Sequence, residues 1–113
     1  MAVAVVPPLF NPTVLTTAAV AIYTAPASPL TLVVARMRVR FTNTTAGPIT
    51  VTAYAVPTGS AAAGNCCANA ESIAANNHID LDIPQLGPGW AFQALASANT
   101  SITVTLLDAV TFS

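Results

Sequence analysis

Strand-length runs of apolar and β-branched residues, each ended by turn-forming residues, recur along the whole chain. In residues 30–41 every second side chain from Val33 to Phe41 is apolar, and side chains alternate between faces in a strand, so that set must face a core. Strands at intervals of roughly 8–12 residues, with turn signals between them, predict an all-β domain. With no convincing helix, we expect a single antiparallel β-sandwich or jelly-roll-like barrel. The other predicted strands are residues 13–24, 49–56, 78–83, 90–98 and 102–112.

The first twelve residues differ from the rest because they hold three prolines and have no hydrophobic period. Proline cannot donate a hydrogen bond to a sheet. We therefore expect residues 1–12 to form an extended arm and residues 13–113 to form the sandwich. The arm either reaches a neighbouring subunit or lies along the edge of its own domain. In the first case its contact residues are Val5, Val6, Pro7, Leu9 and Phe10.

The connections carry recognisable turn residues. Residues 43–48 combine Asn43, Gly47 and Pro48, which predicts a β-hairpin joining the strands that flank them. Residues 60–70 predict a long loop, a kind of segment that is often functional, and partner contact is its expected role. This loop would contain Cys66 and Cys67.

The chain carries very little charge. Only seven of its 113 residues are charged, whereas about a quarter are charged in an ordinary soluble domain. A neutral β-protein rich in Thr and Ala is expected to bury surface against copies of itself or other proteins. The net charge of −1 excludes a basic nucleic-acid surface, and no apolar stretch approaches the roughly 20 residues of a membrane span. We expect neither nucleic acid nor membrane as a partner.

Three arginines at alternate positions, Arg36, Arg38 and Arg40, form a row on one face of a strand. Such a row could contact carboxylates of a partner subunit, since the arginine fork suits interface ion pairs. It could equally pair with Asp80 and Asp82, which have the same spacing, on an adjacent strand. The second reading is slightly preferred.

The residues capable of chemistry are few. Cys66 and Cys67 are adjacent, which disfavours a bridge between them, and with His78 they fall short of the four ligands of a structural zinc site. Reduced thiols fit folding in a reducing cytoplasm. We expect no enzymatic activity, no cofactor and no metal. Trp90, after a turn shaped by Gly87 and Gly89, is expected to anchor the core or a subunit interface.

Several short segments resemble a group of small tailed-phage virion proteins. They are FTNTT from Phe41, ITVTAYAVPTG from Ile49, IAA from Ile73, LGPG from Leu86 and an Ala-rich strand through Ala96. The similarity covers roughly residues 36–104. Thr58, the cysteine pair and the proline-rich arm depart from the pattern. The resemblance implies a β-sandwich protein of the virion, without catalytic residues.

The expected function is that of a structural protein of the phage particle, specifically a capsid decoration (cement) protein. It would assemble as a homo-oligomer, with a trimer as one option, and bind the major capsid protein or another virion protein. A tail, collar, baseplate or fibre-attachment component is the alternative. A receptor- or glycan-binding module is a third reading, which predicts that Trp90 and Tyr54 lie outside the core. The expected contact residues are those of the arm, the arginine row, the two cysteines and Trp90.

Overall fold

Eight strands in the described part of the chain form two four-stranded antiparallel sheets that pack face to face. The structure is a computed structural model that describes residues 9–25 and 33–112, with the side chains of residues 33, 35, 111 and 112 left out. The strand orders are β1-β8-β3-β6 and β2-β7-β4-β5, which we call the first and second sheet. The strands are β1 (Thr13–Val14), β2 (Val20–Thr24), β3 (Val33–Asn43), β4 (Ile49–Val56), β5 (Cys66–Ile73), β6 (His78–Ile83), β7 (Ala91–Ala96) and β8 (Ile102–Phe112).

The pairing scheme is that of a long hairpin rolled up on itself. Strand β1 pairs with β8, β2 with β7, β3 with β6 and β4 with β5, all antiparallel. Successive strands along the chain alternate between the sheets at most connections, which is the connectivity of a jelly roll. The predicted antiparallel sandwich is confirmed.

The core lies between the sheets and is built by the period-two alternation of each strand. Met37, Val39 and Phe41 of β3 are fully buried, as their alternation predicts, and they belong to the same core cluster as Phe92 and Ala94 of β7 in the other sheet. Burying these side chains removes apolar surface from water at about 25 cal/mol per Å². Further buried core residues are Leu15, Val34, Val51, Ala53, Ile73, Ile83, Leu86, Ile102 and Val104.

Two predicted connections were wrong. Residues 13–24 are not one strand, because the chain leaves β1 in the first sheet, buries Leu15 and enters β2 in the second sheet. Residues 43–48 do not close a hairpin, because β3 and β4 also belong to different sheets. The buried Asn43 amide holds this corner, since Nδ2 donates to the carbonyls of Gly47 at 2.8 Å and Ile73 at 3.0 Å.

Two further expectations need correction. Strict alternation in residues 30–41 predicts that Val34 lies on the same outer face as Arg36, yet Val34 is fully buried, because a register shift between these residues moves it to the inner face. The predicted loop is shorter than residues 60–70. It contains a 3₁₀ turn (Ala63–Asn65), and Cys66 already begins β5.

The last residues of the predicted arm belong to the sandwich. Phe10 is only 8% exposed and its ring centroid lies 6.1 Å from that of Phe92, while Leu9 packs against the same core. These two residues therefore lie along their own domain. Val5, Val6 and Pro7 are outside the described residues.

Candidate interaction surfaces

The outer face of the first sheet carries a ladder of opposite charges. Arg40 lies opposite Asp80 and Arg38 opposite Asp82 in the register of β3 with β6. Arg40 donates from Nε to Asp80 Oδ1 at 2.8 Å and from Nη2 to Oδ2 at 3.1 Å. Arg38 Nε lies 4.0 Å from Asp82 Oδ1, with both side chains more than half exposed. The internal pairing of the arginine row is confirmed, with one tight and one loose pair.

The tight pair shifts the titration of both partners. The hydrogen bond from Arg40, together with the attraction of its charge, holds the pKa of Asp80 below its usual value. The same hydrogen bond raises the pKa of Arg40. Both effects favour the charged forms, so the pair is ionised at neutral pH.

Arg36 stands apart from this ladder. It is exposed and lies in register with Val110 of β8, and no carboxylate of the described residues is within ion-pair distance of it. The exposed side chains of Val14, Leu107 and Val110 lie on the neighbouring strands β1 and β8. The first sheet therefore has a charged half on β3 and β6 and a more apolar half on β8 and β1.

Charge is divided unequally between the two sheets. All three arginines and three of the four acids lie on β3, β6 and β8 of the first sheet. Glu71 on β5 is the single charged residue of the second sheet. This division cannot be predicted from the sequence, because strand alternation assigns residues to faces but does not say which strands share a sheet.

An uncharged row crosses the outer face of the second sheet. Ala21, Gln93, Tyr54 and Cys66 are register partners on four successive strands. Tyr54, Gln93 and the nearby Leu95 are half-buried in the isolated chain. We call the outward side chains of β4 and β7 the neutral face. It offers aromatic, aliphatic and amide groups, a composition typical of the core of a subunit interface.

An open depression lies beside the neutral face at the β5 edge. Its walls include Tyr54, Cys66, Cys67, Asn69 and Glu71. Both cysteines are free and half-buried. Burial, with the neighbouring thiol as a smaller cause, raises the pKa of Cys67, so that thiol is protonated at neutral pH.

Trp90 is half-buried and packs against the core, so it contributes to its own domain. Its backbone N–H donates to the Gly87 carbonyl at 3.0 Å, and Gly89 has a φ of +81°, which a glycine adopts readily. A Cβ on Gly87 would lie 3.0 Å from the Trp90 indole nitrogen, so Gly87 makes room for the ring.

The described ranges contain no cluster of three potential metal ligands and no helix long and apolar enough to cross a membrane. Neither the scan against protein-family models nor the searches of curated proteins and solved structures gave a match.

Proposed function

We propose that this chain is a non-enzymatic structural protein of a tailed-phage particle, a capsid decoration protein that assembles with copies of itself and binds the major capsid protein. The unequal division of charge between the two sheets carries the proposal. The second sheet has one charged residue, Glu71 on its edge strand, so a partner that covers this sheet has few charges to desolvate. Covering the first sheet would remove the Arg40–Asp80 pair and the other charges from water, which costs more free energy.

Three further observations support this function. The short segments from Phe41 to Ala96 resemble phage virion proteins. Jelly rolls occur in viral capsid domains, although they also occur in lectins and cupins, so the fold by itself is an analogy. The bidentate pair with Asp80 already binds Arg40 within the domain, so this arginine is not the natural contact for a partner. This favours the neutral face as the interface.

The mechanism is burial of surface. Apolar area removed from water contributes about 25 cal/mol per Å² before the costs of association are subtracted. Tyr54 and Leu95 are large enough to anchor such a contact, and their backbones are held on the two central strands of the second sheet. Repeated over many copies, a modest contact of this kind stabilises a shell against internal pressure.

A charge placed on each sheet in turn tests the proposal. Leu95→Lys puts an ammonium on the neutral face, and Thr42→Lys puts one on the outer face of the first sheet as a matched control. Binding to particles that lack the protein is measured by co-sedimentation. We expect L95K to abolish binding and T42K to retain it. Equal binding by both variants would contradict the use of the neutral face.

A glycan-binding module is the second candidate, because Tyr54 lies outside the core. Its ring borders the same depression as Asn69 and Glu71, and an aromatic ring beside amide and carboxylate groups suits a sugar. Screening the protein on a glycan array, with Tyr54→Ala as the control, tests this function. Binding that Y54A abolishes would establish it, and a blank array would exclude it for the sugars tested.

A further inference from the structure

Strand β8 has an incompletely paired edge. Its inner neighbour β3 pairs with it along nearly its whole length, but β1 covers only Thr103 and Val104 on the other side. In the described ranges no strand pairs with residues 105–110 on that side. Of the four pairs of the rolled hairpin, β1 with β8 is the shortest by the number of register partners.

The other sheet edges carry features that oppose strand addition. The β6 edge presents Asp80 and Asp82, and the β2 and β5 edges have irregular registers, with Ala70 of β5 at a φ of +48°. The register of β8 with β3 also shifts, once near Leu107 and once between Val34 and Arg36 of β3, and the edge has one acid, Asp108. It also has exposed apolar side chains, which the other edges largely lack: Val14 is 50%, Leu107 41% and Val110 45% exposed.

The described residues that precede β1 do not extend it along this edge. Thr13 pairs with Val104 in an antiparallel register, so continuing that register would set Leu9 beside Asp108 and residue 6 beside residue 111. Leu9 and Phe10 instead turn into the core. A parallel return of residues 2–6 over the same edge would need a crossover of about a dozen residues, whereas only residues 7–12 separate them from β1.

We propose that the β8 edge, residues 105–110, accepts residues 2–6 of a second copy as an added strand. Those residues read Ala-Val-Ala-Val-Val and carry no charge, and the three valines have high strand propensity. These five residues span most of the six-residue open edge, and the strand ends before the prolines, which cannot donate to a sheet. Backbone hydrogen bonds supply the affinity, and contacts with Leu107 and Val110 supply the apolar burial.

This inference deepens the proposed function, because it names one contact through which copies assemble. Val110→Lys blocks the edge with an ammonium, and Val20→Lys makes the same change on the β2 edge, where the side chain is similarly exposed at 37%. The combined variant V3D/V5D places two carboxylates in the arm. Circular dichroism verifies that each variant is folded.

Oligomeric state is measured by analytical ultracentrifugation over a concentration series. We expect the unmodified chain and V20K to self-associate, and V110K and V3D/V5D each to dissociate at least tenfold more readily. An equimolar mixture of V110K and V3D/V5D should associate again, because one copy retains the arm and the other the edge.

Three results would overturn the inference: a monomeric unmodified chain, self-association that V110K leaves unchanged, or loss with V110K but not with V3D/V5D. In the last case another segment occupies the edge. Co-sedimentation with particles separates this test from that of the proposed function. If the unmodified chain is monomeric yet binds particles, only the strand exchange fails; if it self-associates but does not bind particles, only the decoration role fails.

Discussion

Arg40 and Asp80 face each other across β3 and β6 and share two hydrogen bonds, at 2.8 and 3.1 Å. The pair joins the edge strand of the first sheet to the strand beside it, over the buried row that includes Val39 and Phe41. Arg40, one of the three arginines of the chain, therefore stabilises the fold of its own domain.

Arg40→Gln is expected to lower the urea midpoint of unfolding, because it removes the fork that both Asp80 oxygens accept. Arg36→Gln is the matched control, with no carboxylate of the described residues in range, and should leave the midpoint unchanged. Asp80→Asn combined with R40Q should cost less than the two single changes added together. Strict additivity would show that the pair contributes no coupling.

Stability should fall in acid partly through Asp80. Its folded pKa is lowered by Arg40, so its contribution is complete above the unfolded pKa of about 3.9 and is lost as pH falls through the folded value. Urea midpoints measured between about pH 2 and pH 6 should therefore depend less on pH in D80N. Asp82→Asn, which removes the partner of the looser pair, is the control. If the urea midpoint of D80N falls at low pH as much as that of the unmodified protein, this assignment is contradicted.

Asn43 should tolerate no apolar replacement. It is 1% exposed, and its amide donates to Gly47 and Ile73 while Oδ1 accepts from the Thr45 N–H at 2.9 Å. Asn43→Ala leaves buried backbone groups unpaired, each at about 1–3 kcal/mol. Chemical denaturation should show a loss in at least that range, whereas the exposed Asn69→Ala should change little. If N43A leaves the free energy of unfolding unchanged, other contacts hold the corner between β3 and β4.

Phe10 should behave as a core residue. Phe10→Ala removes a ring packed on Phe92 and is expected to lower the free energy of unfolding by about 3–5 kcal/mol. By contrast, V3D/V5D should leave the stability of a single copy unchanged. Denaturation at concentrations where the chain is monomeric checks both. A loss in V3D/V5D as large as that in F10A would place the whole arm in the folding unit.

Period-two patterns predicted the strands and their buried faces well, because alternation is a local property. Met37 and Phe41 could be assigned to the core from the sequence for that reason. The sheet assignments could not, since the Asn43 corner resembles a hairpin turn in composition yet carries the chain to the other sheet. Equal spacing also allowed the pairing of Arg40 with Asp80 to be predicted. The neutral face and the β8 edge emerged only from strand order.

The copy number in purified phage particles, obtained by quantitative mass spectrometry and scaled to the major capsid protein, tests the central claim most directly. A decoration protein that covers the shell with its neutral face should be present at a copy number comparable to that of the capsid protein. A few copies per particle would contradict decoration and indicate the tail, the collar or a fibre base. Absence from the particle would contradict the structural role altogether.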